Sequence, residues 1–447
     1  MALTNNTTAH SLSQKPHLTF WQIWNISFGF MGVQIGYNLQ TSNISSIFLA
    51  NGADLDQINW FWIAAPLAGF IVQPIVGLSS DKTWTKLGRR IPFIIIGAVV
   101  SALAMFFMPN SEKFASLLPP LFFGAFMFLL MDMSFNVTMQ PFRGLVSDMV
   151  PDSQRNKGYA VQSFLINTGA IIGSMLPFIL TWAGVANKPA HGAKVAPSVI
   201  WSFYFGGAAL LLSVLWTSLR TKEYPPEEFA HYNNMTEEKE KISFWKLLKD
   251  APKAMWQLAV TQFFSWFALI MMWTYTVPGI ALNVWHTTDA KSEAFNDARN
   301  WNGVLSAALS IFAALYALVL TPLANKYGRK NIYAISLIIC GLGLASMLYF
   351  DNKYALFISM LGIGIGWAAI LALPYAILSK VLPPKQTGVY MGIFNFTITL
   401  PQIIASILGG IILKGLFNKE PIYMLVFAGA AMIVAGICAK LVITTKE

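Results

Sequence analysis

Polar residues gather along this chain in short clusters, and between them run about a dozen mostly apolar stretches of roughly 18 to 28 residues. At about 1.5 Å per residue each stretch can cross a hydrocarbon core of ~30 Å as an α-helix. The pattern predicts spans over 18–41, 58–80, 91–109, 119–147, 158–183, 198–218, 254–282, 301–324, 331–350, 354–380, 387–416 and 421–443. One interruption is long and polar, over 219–253. It carries Glu223, Glu227, Glu228, Glu237, Glu238 and Glu240 among basic residues. Lying after the sixth span, it divides the chain into 1–218, a solvated linker over 219–253, and 254–447. A short surface helix is expected around Phe244–Leu248. The expected fold is an all-α membrane protein of twelve transmembrane helices in two bundles of six.

Composition narrows the class further. Hydrophobic residues make up 55% of the 447, charged residues only 11%, and the mean hydropathy is +0.55. A water-soluble domain carries about a quarter of its residues charged, so a soluble enzyme and a nucleic-acid-binding domain are excluded, as is a β-barrel. The net charge of +10 reflects topology instead. With the N-terminus inside, the segments on that side hold 21 of the 30 Lys and Arg, the opposite loops hold eight, and Arg143 falls within a span. By the positive-inside rule both termini are expected in the cytoplasm. The polar stretch Met1–His17 lacks a basic region followed by a short apolar segment, so no cleaved signal peptide is expected. Cys340 and Cys438 lie in apolar runs and read as packing residues. Asn-x-Ser/Thr triplets such as those at Asn25 and Asn136 fall mostly within spans and carry no weight as glycosylation sites.

The two halves resemble each other. After the second span stand Gly77-x-x-x-Asp81 and then Leu87-Gly88-Arg89-Arg90; after the eighth stands Tyr327-Gly328-Arg329-Lys330. The Gly-Arg-basic units are 240 residues apart and occupy the same turn of each half. Parallel six-helix repeats around a midplane site characterise major-facilitator transporters. Glycine suits the tight turn, and Asp81 is placed to cap a helix end and pair with Arg89 and Arg90 as an inward-side latch. The alternative is that these basic residues only enforce topology.

Of the 20 acidic residues, only Asp132 falls near the middle of a span. It lies about twelve residues, or roughly 18 Å, beyond Pro119-Pro120, at the bilayer midplane. A carboxylate there costs at least about 2.5–3.5 kcal/mol and as a rule marks a proton relay or substrate pathway. A neutral acid hydrogen-bonded within the bundle is the plainer alternative. Arg143, eleven residues on, returns to within about 20° of the same helix face but stands roughly 16 Å away. It is expected to line the inward half of the same cavity or to close it with Asp148, unless it only snorkels to the headgroups. Amides and aromatic residues recur within the spans: Asn25, Gln34, Tyr37, Asn38, Gln40, Asn136, Gln162, Asn167, Thr168, Gln262, Trp266, Trp273, Thr274, Tyr275, Thr276, Trp367, Tyr375, Asn395 and Gln402. Neutral amides bond hydroxyls in both directions, and rings stack on sugar C–H faces. The set therefore suits an uncharged, polyhydroxylated ligand, although any one amide is open to an interhelical packing role.

Several segments resemble the plant sucrose transporters and their animal and bacterial relatives, in the glycoside–cation symporter branch of the major-facilitator superfamily. They are Gln34-Ile-Gly-Tyr-Asn-Leu-Gln40, Pro66-Leu-Ala-Gly-Phe-Ile-Val-Gln-Pro-Ile-Val-Gly77, Ser80-Asp81 through Gly88-Arg-Arg-Ile-Pro-Phe93, the set Asp132, Asn136, Pro141, Arg143 and Asp148, and Gly392-Ile-Phe-Asn395 with Leu400-Pro-Gln402. The resemblance covers all twelve spans and implies proton-coupled uptake of a disaccharide, with Asp132 matching the family's proton-carrying aspartate. Span seven departs from it: Trp273-Thr-Tyr-Thr-Val-Pro278 stands where the plant proteins carry an acidic residue. The compact length favours a bacterial inner-membrane member, for which maltose-like α-glucosides are as plausible as sucrose.

The expectation is a proton:disaccharide symporter working by alternating access. Asp132 is the proton carrier. Gln34, Asn38, Gln40, Asn136, Gln162, Trp266, Trp273, Tyr275, Trp367, Asn395 and Gln402 are the substrate contacts, and Asp81, Arg89, Arg90, Arg143, Asp148, Gly328 and Arg329 form the gates. Expected partners are the disaccharide, protons and the lipid bilayer; the chain is read as a monomer with no cofactor, metal or nucleic acid. A sodium-coupled or passive sugar transporter is the alternative. The five histidines lie outside the span cores, so no membrane-embedded enzyme is expected, and no sizeable soluble domain supports a sensor.

Overall fold

The computed structural model describes residues 15–189, 193–232, 249–378, 381, 390 and 393–443. The expected surface helix at Phe244–Leu248 and the start of the eleventh span lie outside them. Helix α1 (Phe20–Ala50) opens on a reciprocal cap: the Gln22 amide N–H donates to the Thr19 hydroxyl, and the Thr19 N–H donates to the Gln22 side chain. It continues well past the expected end near residue 41. The polar residues that suggested an end bond back within the helix, Asn43 to the Leu39 carbonyl at 2.8 Å and Ser46 to the Asn43 carbonyl at 3.1 Å.

The second span is broken into α2 (Ile58–Trp62) and α3 (Ala64–Lys82). Pro66 has no N–H to offer the Trp62 carbonyl, which accounts for the interruption. Then come α4 (Ile91–Phe107), α5 (Pro120–Met149), α6 (Arg155–Trp182), α7 (Pro197–Arg220) and a short α8 (Pro226–Tyr232). The second half consists of α9 (Lys253–Trp285), α10 (Glu293–Tyr327), α11 (Arg329–Ser346), α12 (Leu356–Leu378), α13 (Phe396–Phe417) and α14 (Pro421–Val442). Helix α10 starts eight residues before the expected span, because Ser292 caps it by accepting from the Phe295 N–H at 3.1 Å. Arg299, expected in a solvated loop, is consequently helical and buried, with 4% exposure.

Eleven segments among the described residues are long and apolar enough to cross a membrane; α1 is as long but carries too many polar groups. Within the first half, α1 packs on α5, α6 and α7, α3 packs on α5, and α4 packs on α5 and α7. In the second half α9 packs on α13 and α14, α11 on α12 and α14, and α10 on α12. The groups meet along α6–α10, α1–α9, α1–α10, and α13 against α2 and α3. Gly303 permits the α6–α10 approach: the Ser174 carbonyl of α6 occupies the space a methyl group would need. Large apolar side chains remain exposed around the outside, including Trp182, Leu212, Leu219 and Leu318. On a membrane protein that surface faces lipid rather than water.

Candidate substrate cavity

A cavity of about 360 Å³ lies between the two groups of helices. This falls within the usual range of about 300–1,000 Å³ for small-molecule sites. Its wall is assembled from single helix faces. Gln34, Tyr37, Asn38 and Thr41 follow the i, i+3, i+4, i+7 spacing on α1. Pro66, Gly69 and Gln73 come from α3, while Asp132, Asn136, Met139 and Arg143 form one stripe of α5. Opposite them stand Trp266, Leu269, Ile270 and Trp273 of α9 and Asn302, Ser306 and Ser310 of α10. Trp367 of α12 joins them, with Ile398, Thr399 and Gln402 of α13 and the preceding Asn395. Among the described residues, Asp132 and Arg143 are the only charged side chains on this wall.

The first half supplies a chain of hydrogen bonds. Gln73 Nε2 donates to Asn136 Oδ1 at 2.7 Å, and Asn136 Nδ2 donates to Asp132 Oδ2 at 3.2 Å. Gln40 Nε2 reaches Asp132 Oδ1 from the other side at 3.0 Å. Both oxygens of Asp132, a residue 2% exposed, thus receive N–H donors. On the same wall Asn38 donates to the Gln34 side chain at 3.2 Å. The second half supplies aromatic surface. Trp266, Trp273 and Trp367 form a triangle with ring centroids 6.0–6.5 Å apart. The buried indole N–H of Trp266 has no partner among the described residues.

Three expected contacts do not line the cavity. Gln40 lies six residues beyond Gln34, outside the face that Gln34, Asn38 and Thr41 share, and stands behind the wall as a partner of Asp132. Gln162 is buried between helices, donating to the Phe142 carbonyl at 3.2 Å. Tyr275, two residues and so about 200° from Trp273, is fully buried, and its hydroxyl accepts from Asn59 at 2.8 Å. Conversely, Gln73, Asn302, Ser306 and Ser310 belong to the wall and were not among the expected contacts. The i, i+4, i+8 polar stripe Asn302, Ser306 and Ser310, in the mostly apolar middle of α10, was the available signal.

The cavity is closed on the side away from the chain ends. Every hydrogen bond and ion pair that joins the two groups among the described residues lies there. Asn59 of α2 bonds Tyr275, Lys419 approaches Asp56 at 3.5 Å, and Asn187 sits at the centre of a buried cluster. Asn187 Nδ2 donates to Asp297 at 2.6 Å, and its Oδ1 accepts from Asn300 at 2.9 Å, Ser198 at 3.1 Å and Arg299 at 3.4 Å. Asn300 also donates to Thr181 at 2.9 Å, and Arg299 bonds Asn296 within its own helix.

On the face carrying the chain ends, Asp148 accepts from Arg89 at 2.5 Å and Arg90 at 2.9 Å. Arg143 therefore does not pair with Asp148; it lines the cavity. The expected partner of the arginines, Asp81, has its side chain outside the described residues. The Glu223 carboxylate accepts three backbone N–H groups at the start of α4, from Arg89 (3.0 Å), Arg90 and Ile91 (2.8 Å each). Helix termini favour anions at such a position, yet burial outweighs those donors and holds this carboxyl above its ordinary range. The Arg89 guanidinium also lies 4.1 Å over the Phe229 ring of α8, so the chain just after α7 is docked rather than freely solvated. Gly88 and Gly328 occupy matching turns with φ of +111° and +88°, a region that disfavours any side chain. Arg329 donates to the Ala376 carbonyl at 2.6 Å.

Twelve long helices among the described residues, in two packed groups with a polar cavity held shut from one side, define a multi-pass membrane transporter. The chain belongs to the MFS/sugar transport protein family, whose model matches residues 28–417. Its relatives include the sucrose transport protein SUT5 of Oryza sativa, 24% identical over 91% of this chain and 85% of that protein. The sucrose transport protein SUC4 of Arabidopsis thaliana is 23% identical over 85% of this chain and 81% of that one. Among solved structures, the nucleoside transporter NupG superposes with a TM-score of 0.70 at 14% identity, over 96% of this chain and 100% of that one. A D-xylose-proton symporter does so with a TM-score of 0.68 at 13% identity, over 95% and 98%. These are membrane transporters, not enzymes.

Proposed function

We propose that this sugar-family transporter is a proton:disaccharide symporter, with 1–218 and 254–447 rocking about the central cavity and both termini in the cytoplasm. The observation that carries the reading is a buried carboxylate on the wall of a cavity otherwise lined by amides, hydroxyls and tryptophans. An anionic substrate would call for several basic groups, and a sodium site for several hard oxygen ligands, often with more than one carboxylate. The described wall offers one acid and one base.

In this mechanism protonation of Asp132 removes the midplane charge and accompanies sugar binding from outside. The far-side bonds around Asn187, Asn59 and Tyr275 then form, and release of sugar and proton follows on the inner side. The Arg89–Asp148–Arg90 cluster and Glu223 brace the inner ends of the first bundle. With an uncharged sugar only the proton moves charge, so the membrane potential contributes about 2.3 kcal/mol per 100 mV to each inward cycle. The similarity to plant sucrose transport proteins makes sucrose the first sugar to test, with maltose as the α-glucoside comparison. The test is uptake of both labelled sugars into proteoliposomes, with and without an inward proton gradient at fixed sodium. Gradient-driven accumulation is expected; equilibration without accumulation refutes the coupling and leaves a passive facilitator.

A further inference from the structure

The cavity wall explains what Gln34, Asn38 and Asn136 are for, but not Gln40, which is 1% exposed and touches no ligand space. Its side chain does two unequal things. Nε2 donates to Asp132 Oδ1 at 3.0 Å, whereas Oε1 is buried and accepts from no described residue. An ionised carboxylate only accepts hydrogen bonds, whereas a protonated one must donate from one oxygen, so an arrangement with an amide N–H on each oxygen, Gln40 on Oδ1 and Asn136 on Oδ2, matches the ionised state. Once a proton sits on Oδ1, that oxygen becomes a donor and an N–H group facing it is mismatched.

Only one of the two amides on Asp132 has the means to respond. Asn136 is pinned by its own bonds: its Oδ1 accepts from Gln73 at 2.7 Å, and its Nδ2 also donates to the Asp132 carbonyl at 2.9 Å. Turning Asn136 would break both. Gln40 has nothing to lose at its oxygen, and a glutamine amide rotates about a broad, two-fold terminal torsion. We propose that Gln40 is a positioning residue that reads the protonation state of Asp132 by reversing its amide. Facing Asp132 with N–H when the acid is ionised, it turns Oε1 toward Asp132 to accept the new O–H. The reaction balances simply: a proton from cavity water adds to Asp132 Oδ1, no other bond forms or breaks covalently, and the same proton returns to water on release. Oδ2 keeps its Asn136 donor throughout.

The surroundings leave this role to Gln40. The titratable residue of α1 near the site is Tyr37, within electrostatic range of both Asp132 and Arg143. Helix α4 carries no titratable residue, and those of α3, Asp81 and Lys82, stand at its far end. On α5 itself the neighbours are Arg143 and Asp148, three and more turns away. Because Gln40 lies behind the wall, its reversal couples the proton to the packing of α1 on α5 without touching sugar.

This inference rests on the proton-coupling reading of Asp132, and the experiment separates the two. Infrared difference spectra of the protein in lipid, recorded between alkaline and acidic buffer, should contain a protonated-carboxyl C=O band that disappears in Asp132→Asn. In Gln40→Leu that band should move to higher wavenumber, because the O–H has lost its acceptor; the unbranched Gln40→Met, nearer in shape, should behave likewise and guards against a packing defect. A band present but unmoved in both variants overturns the role of Gln40 alone. No Asp132-dependent band at any pH overturns the proton-coupling reading and this inference with it.

Discussion

Among the described residues, the cluster around Asn187 holds most of the hydrogen bonds between the halves, and its removal should tilt the conformational balance by a calculable amount. Asn187→Ala deletes a bond to the Asp297 carboxylate, one from Asn300 and a longer one from Arg299, all crossing between the first half and the second. A bond to a charged group is worth about 1.5–3 kcal/mol and a neutral one about 1 kcal/mol, and coupled bonds do not sum fully. A loss of about 2–3 kcal/mol for the closed far side is therefore expected, or roughly 30- to 140-fold in the open-to-closed ratio. Arg299 keeps its bonds to Asn296 and Asn300, so the variant does not strand that buried charge. The assay places a reporter at Ser42→Cys, on the cavity wall toward the far-side end of α1, in a background where Cys340 and Cys438 are replaced by alanine. A membrane-impermeant maleimide added from the far side of proteoliposomes should label the Asn187→Ala protein faster by that factor. Unchanged labelling together with a lowered melting temperature would refute the argument, since the cluster would then stabilise both conformations equally.

Four further outcomes follow from the same geometry. Asp132→Asn should abolish accumulation of sugar against a gradient while sparing sugar exchange, measured by counterflow; continued uphill uptake would remove Asp132 from the coupling. Trp266→Phe keeps a ring in the triangle but deletes the unpartnered indole N–H, so sugar affinity should weaken roughly fivefold, the value of about one neutral hydrogen bond of ~1 kcal/mol; titration of binding at fixed pH checks this, and an unchanged Kd rules out an N–H contact. Glu223→Ala leaves three N–H groups at the start of α4 without their cap and should cost about 2 kcal/mol of stability, read as a lower melting temperature in detergent. Since burial raises the folded-state affinity of Glu223 for its proton, its contribution to stability should fall as pH rises from the ordinary carboxylate range through the raised folded value, and Glu223→Gln should remove that slope.

Much of the fold is written in the hydrophobic pattern, because a bilayer allows few ways to satisfy a backbone and the apolar runs report their own length. Where the reading missed, local polar chemistry was responsible. Asn43 and Ser46 bond back into α1 and carry it about nine residues beyond the expected end. Ser292 starts α10 early and thereby draws Arg299 from an expected loop into the interior. Pro66 interrupts a span that hydropathy treats as continuous. Hydropathy averages over such events; hydrogen bonds decide them one residue at a time.

The site was legible to the extent that helix phase agreed with residue type. Gln34 and Asn38 are one turn apart, as are Asp132 and Asn136, and Trp266 and Trp273 are two turns apart; each pair faces the cavity. Gln40 and Tyr275 have equally suitable chemistry but the wrong phase, and each went instead to a role that chemistry alone does not announce: one against Asp132, the other against Asn59 across the far-side contact. Gln73 was present in a quoted motif, yet its role depends on meeting Asn136, 63 residues away in the chain. The residues that close the cavity were the least legible of all. Asn187, Asp297 and Arg299 would pass for loop polarity in any one segment, and only their convergence makes a buried, bonded cluster between halves. The wall of the cavity is thus a property of single helices, readable from spacing. The state of its gates belongs to pairs of segments far apart in sequence, and that is why the far-side cluster, rather than the cavity, is where structure adds most to the account of transport.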